Sequence, residues 1–121
     1  MAVKKGKKRM STRSGKAKGR RLQNEVRALL EESFPELEDG DIRTAIMGSN
    51  GEDIILSPAA RKLIPYSIEC KNQEALNIWS ALKQAEENSD VWAPMVIFKR
   101  NRSKTYAVLE IDKLLELLKR D

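Results

Sequence analysis

Gly51-Glu-Asp-Ile-Ile-Leu-Ser-Pro-Ala-Ala-Arg-Lys-Leu-Ile-Pro-Tyr-Ser-Ile-Glu-Cys-Lys71 holds two short β-prone runs separated by a proline-bounded break. Asp53–Ser57 reads as one strand and Tyr66–Lys71 as another. Residues 58–62 between them read as a short connection of about one helical turn. Side chains alternate along a strand, so Glu69 and Lys71 share one face and Ile68 and Cys70 the other. Asp53 opens the preceding strand, and adjacent antiparallel strands bring such residues within cross-strand reach. Two carboxylates and a lysine are thereby gathered near the end of a sheet.

Outward from this core, Ile42–Met47 is β-prone and runs into the turn Gly48-Ser49-Asn50-Gly51. Upstream, Leu22, Val26, Leu29, Leu30 and Phe34 follow helical spacing. They predict a helix over 16–34 with one face in the core, stopped by Pro35 and the acidic turn Glu36–Gly40. Downstream, Leu76, Trp79, Leu82 and Ala85 predict a second helix over 75–88, which puts Trp79 in the core rather than free to stack on bases. Pro94–Lys99 reads as a buried strand, Asn101-Arg-Ser as a turn, Lys104–Leu109 as a strand and Ile111–Lys119 as a closing amphipathic helix. The order α-β-β-β-α-β-β-α, with its first strands in a meander, implies an α/β domain: a mixed β-sheet flanked by helices.

Composition narrows the chemistry. At 121 residues the chain fits one domain. It has a single cysteine and no histidine, which excludes a cysteine-rich zinc site, the Ser-His-Asp and Cys-His mechanisms and HExxH metalloproteases. No apolar run nears the length of a membrane span, and the basic N-terminus lacks a signal's apolar stretch. The lone Cys70 agrees with a reducing compartment, so a cytoplasmic setting is expected.

Charge is uneven. Residues 1–21 carry ten Lys or Arg and no acid, whereas the remainder is net acidic. A basic flexible N-terminal arm over 1–15 ahead of one domain over 16–121 is the expected organisation. Such an arm gains affinity for polyanions by releasing counterions, without reading sequence. It serves either as a nucleic-acid grip or as a solubilising tail.

Two close carboxylates repel, and a divalent cation between them relieves that repulsion. Mg²⁺, for which Mn²⁺ substitutes, takes oxygen ligands, keeps several waters and needs only one or two carboxylates. Lys71 can then position or deprotonate water, or offset charge in a phosphoryl transition state. The alternative is ordinary: Asp53 caps a turn, and Glu69 and Lys71 form a surface ion pair.

Asp53…Glu69-Cys70-Lys71, preceded by a helix and followed by a helix bearing Gln84, resembles the PD-(D/E)xK nuclease superfamily, with Glu52 in place of the motif's proline. Small size, the basic segment Lys16–Arg21 opening the first helix, and the Gly48–Gly51 loop make it similar to archaeal-type Holliday junction resolvases and their phage-encoded relatives. The resemblance covers most of residues 16–110. It implies a restriction-endonuclease-like core and a homodimer acting on branched DNA. It implies Asp53, Glu69 and the Cys70 carbonyl as metal ligands, Lys71 as the catalytic lysine and Glu25 as a helix-borne catalytic acid. Glu25 is equally read as a solvated acid paired with Arg21, in which case Gln23 faces the site instead. Expected DNA contacts are Lys16, Lys18, Arg20, Arg21, Arg43, Ser49, Gln84, Arg100 and Arg102, with Arg61 able to reach the backbone as well. The implied activity is a Mg²⁺-dependent endodeoxyribonuclease resolving four-way junctions. The other readings are a nuclease of the same superfamily acting on forks, flaps or duplex, and a non-catalytic DNA-binding protein.

Overall fold

A computed structural model of the chain describes residues 12–46 and 51–120. The expected arm therefore lies almost wholly outside the described residues, as do Ser49 and the loop around it. The elements are α1 (Thr12–Ser33), β1 (Ile42–Thr44), β2 (Ile54–Leu56), α2 (Pro58–Leu63), β3 (Tyr66–Asn72), α3 (Ile78–Asn88), β4 (Ala93–Lys99), β5 (Tyr106–Leu109) and α4 (Ile111–Lys119). The molecule is mixed α/β: a three-stranded mixed sheet and an antiparallel pair, flanked by helices.

β3 is the spine. It pairs with β4 in parallel, Ile68 opposite Met95 and Glu69 opposite Val96, and β4 pairs with β5 antiparallel. Parallel neighbours need a crossover, and α3 supplies it. Ile68 and Cys70 pack with Leu22 and Val26 of α1 on one face. Val96, the neighbour of Glu69, packs with Ala81 and Ala85 of α3 on the other. Helices on both faces account for the burial of every residue from Tyr66 to Cys70.

The expected three-strand meander is not what forms. β1 and β2 make their own antiparallel pair, with Ile42 opposite Leu56, and reach β3 through the Asp53 amide, which donates to the Ile68 carbonyl at 2.9 Å. The reason lies in the connection. Ser57 caps α2, its hydroxyl accepting from the Ala60 amide at 3.1 Å, and Pro58 sits in the first turn. The chain therefore turns through a helix between β2 and β3 and leaves no tight hairpin.

Three further expectations are corrected. α1 begins at Thr12 rather than Lys16, so the arm boundary at 15/16 falls inside a helix. Leu29 is 49% exposed, because the buried stripe follows Leu22 and Val26 and continues to Leu30 and Phe34. Trp79 is 78% exposed. Asn77 caps α3, its side chain accepting from the Ser80 amide, so the helix starts at Ile78 and its inner face runs Ile78, Ala81, Leu82, Ala85. Leu76 joins that cluster from outside the helix. No helix among the described residues is long and apolar enough to cross a membrane.

Candidate active site

A cleft of about 730 Å³ opens where α3 and the first turns of α1 flank β3. Asp53, Glu69, Lys71 and Gln84 line it, with Gly15, Gly19 and Gln23 on the α1 side. Each acid is fixed by a different element. Asp53 precedes β2, and its Oδ2 accepts from the Cys70 backbone amide at 2.7 Å. Glu69 is 2% exposed, and its Oε2 accepts from the Asn88 side-chain amide at 2.9 Å. The same Asn88 amide donates to the Gly51 carbonyl at 3.3 Å. Asn88 thus ties α3 to the segment that carries Asp53, and Gly51 reaches it at a φ of +106°, which favours glycine. Lys71 Nζ donates to Gln84 Oε1 at 2.7 Å.

Burial pushes the Asp53 carboxyl above its ordinary value, opposed by the Cys70 amide and by the charge of Lys71. Burial, reinforced by the Asp53 charge, pushes Glu69 up to about 7, with the Asn88 amide pulling the other way. The Cys70 thiol is pushed up as well, mainly by burial and then by the two acids, which leaves it inert. Two carboxyls that resist joint ionisation in one cleft suit a bound cation. The donors are hard oxygens: Asp53, Glu69 and the Cys70 carbonyl. No group of three or more His, Cys, Asp or Glu side chains forms a metal cluster among the described residues. Two carboxylates match Mg²⁺ or Mn²⁺, which fill their remaining positions with water and phosphate oxygens, better than a cation requiring an all-protein cage.

Comparison of the chain with family models, curated proteins and solved structures gives no match to any of them. The site is therefore read from its own residues.

The cleft brings Asp53, Glu69, Lys71 and Gln84 together. Gln84 reaches the lysine directly, its Oε1 accepting from Lys71 Nζ. Glu25 does not line the cleft. Its carboxylate is exposed and accepts from the Thr105 hydroxyl at 3.0 Å. Gly15, Gly19 and Gln23, at intervals of four, form the cleft-facing row of α1, and Glu25 stands roughly 200° around the helix from Gln23. Gln23 is 8% exposed and its Oε1 is buried without a hydrogen-bond partner.

Of the expected DNA contacts, Lys18 is buried and withdrawn. Its Nζ lies 3.4 Å from Glu74, and its carbonyl accepts from Asn72. Arg61 is likewise occupied: it pairs with Glu52, donates to the Tyr66 carbonyl at 2.6 Å and lies 4.8 Å from the Trp92 ring. Lys16, Arg20 and Arg21 are exposed on α1, Arg43 on β1, and Arg100 and Arg102 at the β4–β5 turn. Lys16 and Arg20 follow Gly15 and Gly19 by one residue, so two cations run along the flank of the cleft wall.

Sequence reasoning missed Asn88 and Glu74. Asn88 sits four residues after Gln84, on the same helix face, a spacing that would have revealed it. Glu74 joins three segments, accepting from Lys18 and from the Asn101 amide at 2.6 Å. A lone exposed acid beyond a strand gives no such signal.

Proposed function

We propose that this chain is a Mg²⁺-dependent endodeoxyribonuclease of the PD-(D/E)xK type with a restriction-endonuclease-like core, acting on four-way DNA junctions. One observation carries the reading: Asp53, Glu69 and Lys71 line one cleft, each held by a specific hydrogen bond, beside the cations Lys16 and Arg20. A structural ion pair needs no such cleft.

The resident residues divide the work. Asp53, Glu69 and the Cys70 carbonyl would hold Mg²⁺ or Mn²⁺. A cation held by them would supply Lewis-acid polarisation of a phosphodiester and a more acidic water. Asn88 and the Cys70 amide fix the two carboxylates in place. Lys71, aimed by Gln84, donates to a phosphate oxygen or orients water. Lys16, Arg20 and Arg21 supply backbone contacts that position DNA without reading bases. Glu25, the helix-borne acid that the resemblance implies, lies outside the cleft; Gln23 stands on its α1 wall and Glu87 on its α3 wall.

The test is cleavage of a fixed four-way junction in Mg²⁺, alongside linear duplex, single strand and a flap. Wild type, Asp53→Ala and Glu69→Ala are compared. Paired symmetric nicks in the junction alone, absent from both variants, are the expected result. Cutting of all substrates would assign a broader nuclease of the same type. Binding without cutting in Mg²⁺ or Mn²⁺ would leave a DNA-binding protein.

A further inference from the structure

α4 has the composition of a packed helix and the burial of an unpacked one. Ile111, Leu114, Leu115, Leu117 and Leu118 make up most of its nine residues, yet none is buried. Leu117 packs partly against the core. Ile111, Leu114, Leu115 and Leu118 are 61%, 37%, 45% and 70% exposed. Their spacing (i, i+3, i+4, i+7) makes one continuous apolar stripe on the outer side of the helix. A helix this short is marginal on its own in water, so a covering surface is called for.

The charges beside the stripe indicate what covers it. The stripe is symmetric about the midpoint between Leu114 and Leu115. An antiparallel copy of the same helix, related by a two-fold axis through that midpoint, therefore matches apolar residue to apolar residue: Ile111 opposite Leu118, Leu114 opposite Leu115. On one flank of the stripe lie Asp112 in the first turn and Lys119 in the last. The two-fold axis preserves flanks and reverses direction, so Asp112 of each copy comes beside Lys119 of the other, twice per pair. A parallel pairing would instead set Asp112 against Asp112 and Lys119 against Lys119.

We propose that α4 is a self-association surface, on which a second copy of this chain docks through an antiparallel two-fold helix pair. The patch is small beside a standard interface, so a dissociation constant on the order of micromolar is expected. The inference does not rest on nuclease activity; mass and cleavage are measured separately, and either can fail alone.

The full chain is examined by sedimentation equilibrium across a concentration series, with circular dichroism to confirm folding. Wild type is expected to dimerise. Leu118→Asp, at an exposed position that does not support the core, is expected to be a folded monomer. Asp112→Lys and Lys119→Asp each place like charges across the pair and are expected to weaken dimerisation by about tenfold. Mixed in equal amounts, the two are expected to recover a heterodimer, because each then meets its opposite. A role for these charges within a single helix would not produce recovery on mixing. A wild type that stays monomeric through about 200 µM, or a dimer indifferent to Leu118→Asp, would overturn the proposal; the stripe would then belong to a different protein or to a different surface. Failure of the mixture to recover would overturn the antiparallel arrangement.

Discussion

Glu69 is the residue on which the site's electrostatics converge. Its folded value of about 7 lies above the ordinary 4.5, because the folded protein favours the protonated form. The folded state thus holds a proton that the unfolded chain releases between those values. This contribution to stability is complete below the unfolded value and is lost as pH rises through about 7. Denaturant unfolding in chelator should show Glu69→Gln close to wild type at pH 5 and more stable at pH 8, since glutamine cannot ionise. Parallel curves would refute the assignment. At the neighbouring lysine, Lys71→Ala should lower cleavage by about 10²–10⁴-fold with junction binding kept, and Gln84→Ala, which only frees the lysine, by less. The two tryptophans make a contrast testable by thermal melting. Trp79→Ala should change stability by no more than about 0.5 kcal/mol, as for an exposed side chain. Trp92→Ala uncovers Arg61, which lies against its ring, and should cost roughly 2 kcal/mol.

At the scale of elements, β3 was legible because Pro65 fixes its start and alternation fixes its faces. Glu69 and Lys71 turn toward α3, and Ile68 and Cys70 toward α1, as the period-2 pattern required. The pairing of β3 was not legible. Nothing in residues 53–71 states that β3 prefers β4, which arrives only after α3. The phase of α3 was misread for a local reason. Leu76 satisfies the same stripe from outside the helix, and only the Asn77 cap reveals that the first turn starts later. Glu25 and Gln23 stayed alternatives for the site because a spacing cannot tell which side of a long helix faces the cleft until its buried stripe is anchored on Leu22 and Val26. Ser57 is the element-scale test. Its hydroxyl caps α2 and also donates to Asp41 Oδ1 at 2.7 Å. Ser57→Ala should therefore cost about 1–2 kcal/mol, measured by urea unfolding.

At the scale of the molecule, the proposed contact with DNA is tested through charge. Removing residues 2–11 deletes five cations ahead of α1. If those cations meet phosphate, the slope of log affinity against log salt should shrink by up to about 4. An unchanged slope would assign binding to the folded domain alone, where Lys16→Ala and Arg20→Ala should each reduce it by about 1. The cleft also gathers residues that no single segment could supply: α1 contributes one wall, β3 the floor, α3 the other wall, and the segment before β2 an acid.

This mode of assembly has a consequence for how the protein is made. Lys18 of α1 is held by Glu74 and Asn72, both more than fifty positions later, and Glu25 is held by Thr105, eighty positions later. During synthesis the first helix leaves the ribosome with none of these partners yet translated. It stays undocked until β3 has emerged, and it is fully anchored only once the β4–β5 turn follows. The acid pair and its flanking wall therefore come together only after α3, which carries Asn88, has followed. A nascent chain exposes the cations of its first helix well before it can present the assembled pair of acids.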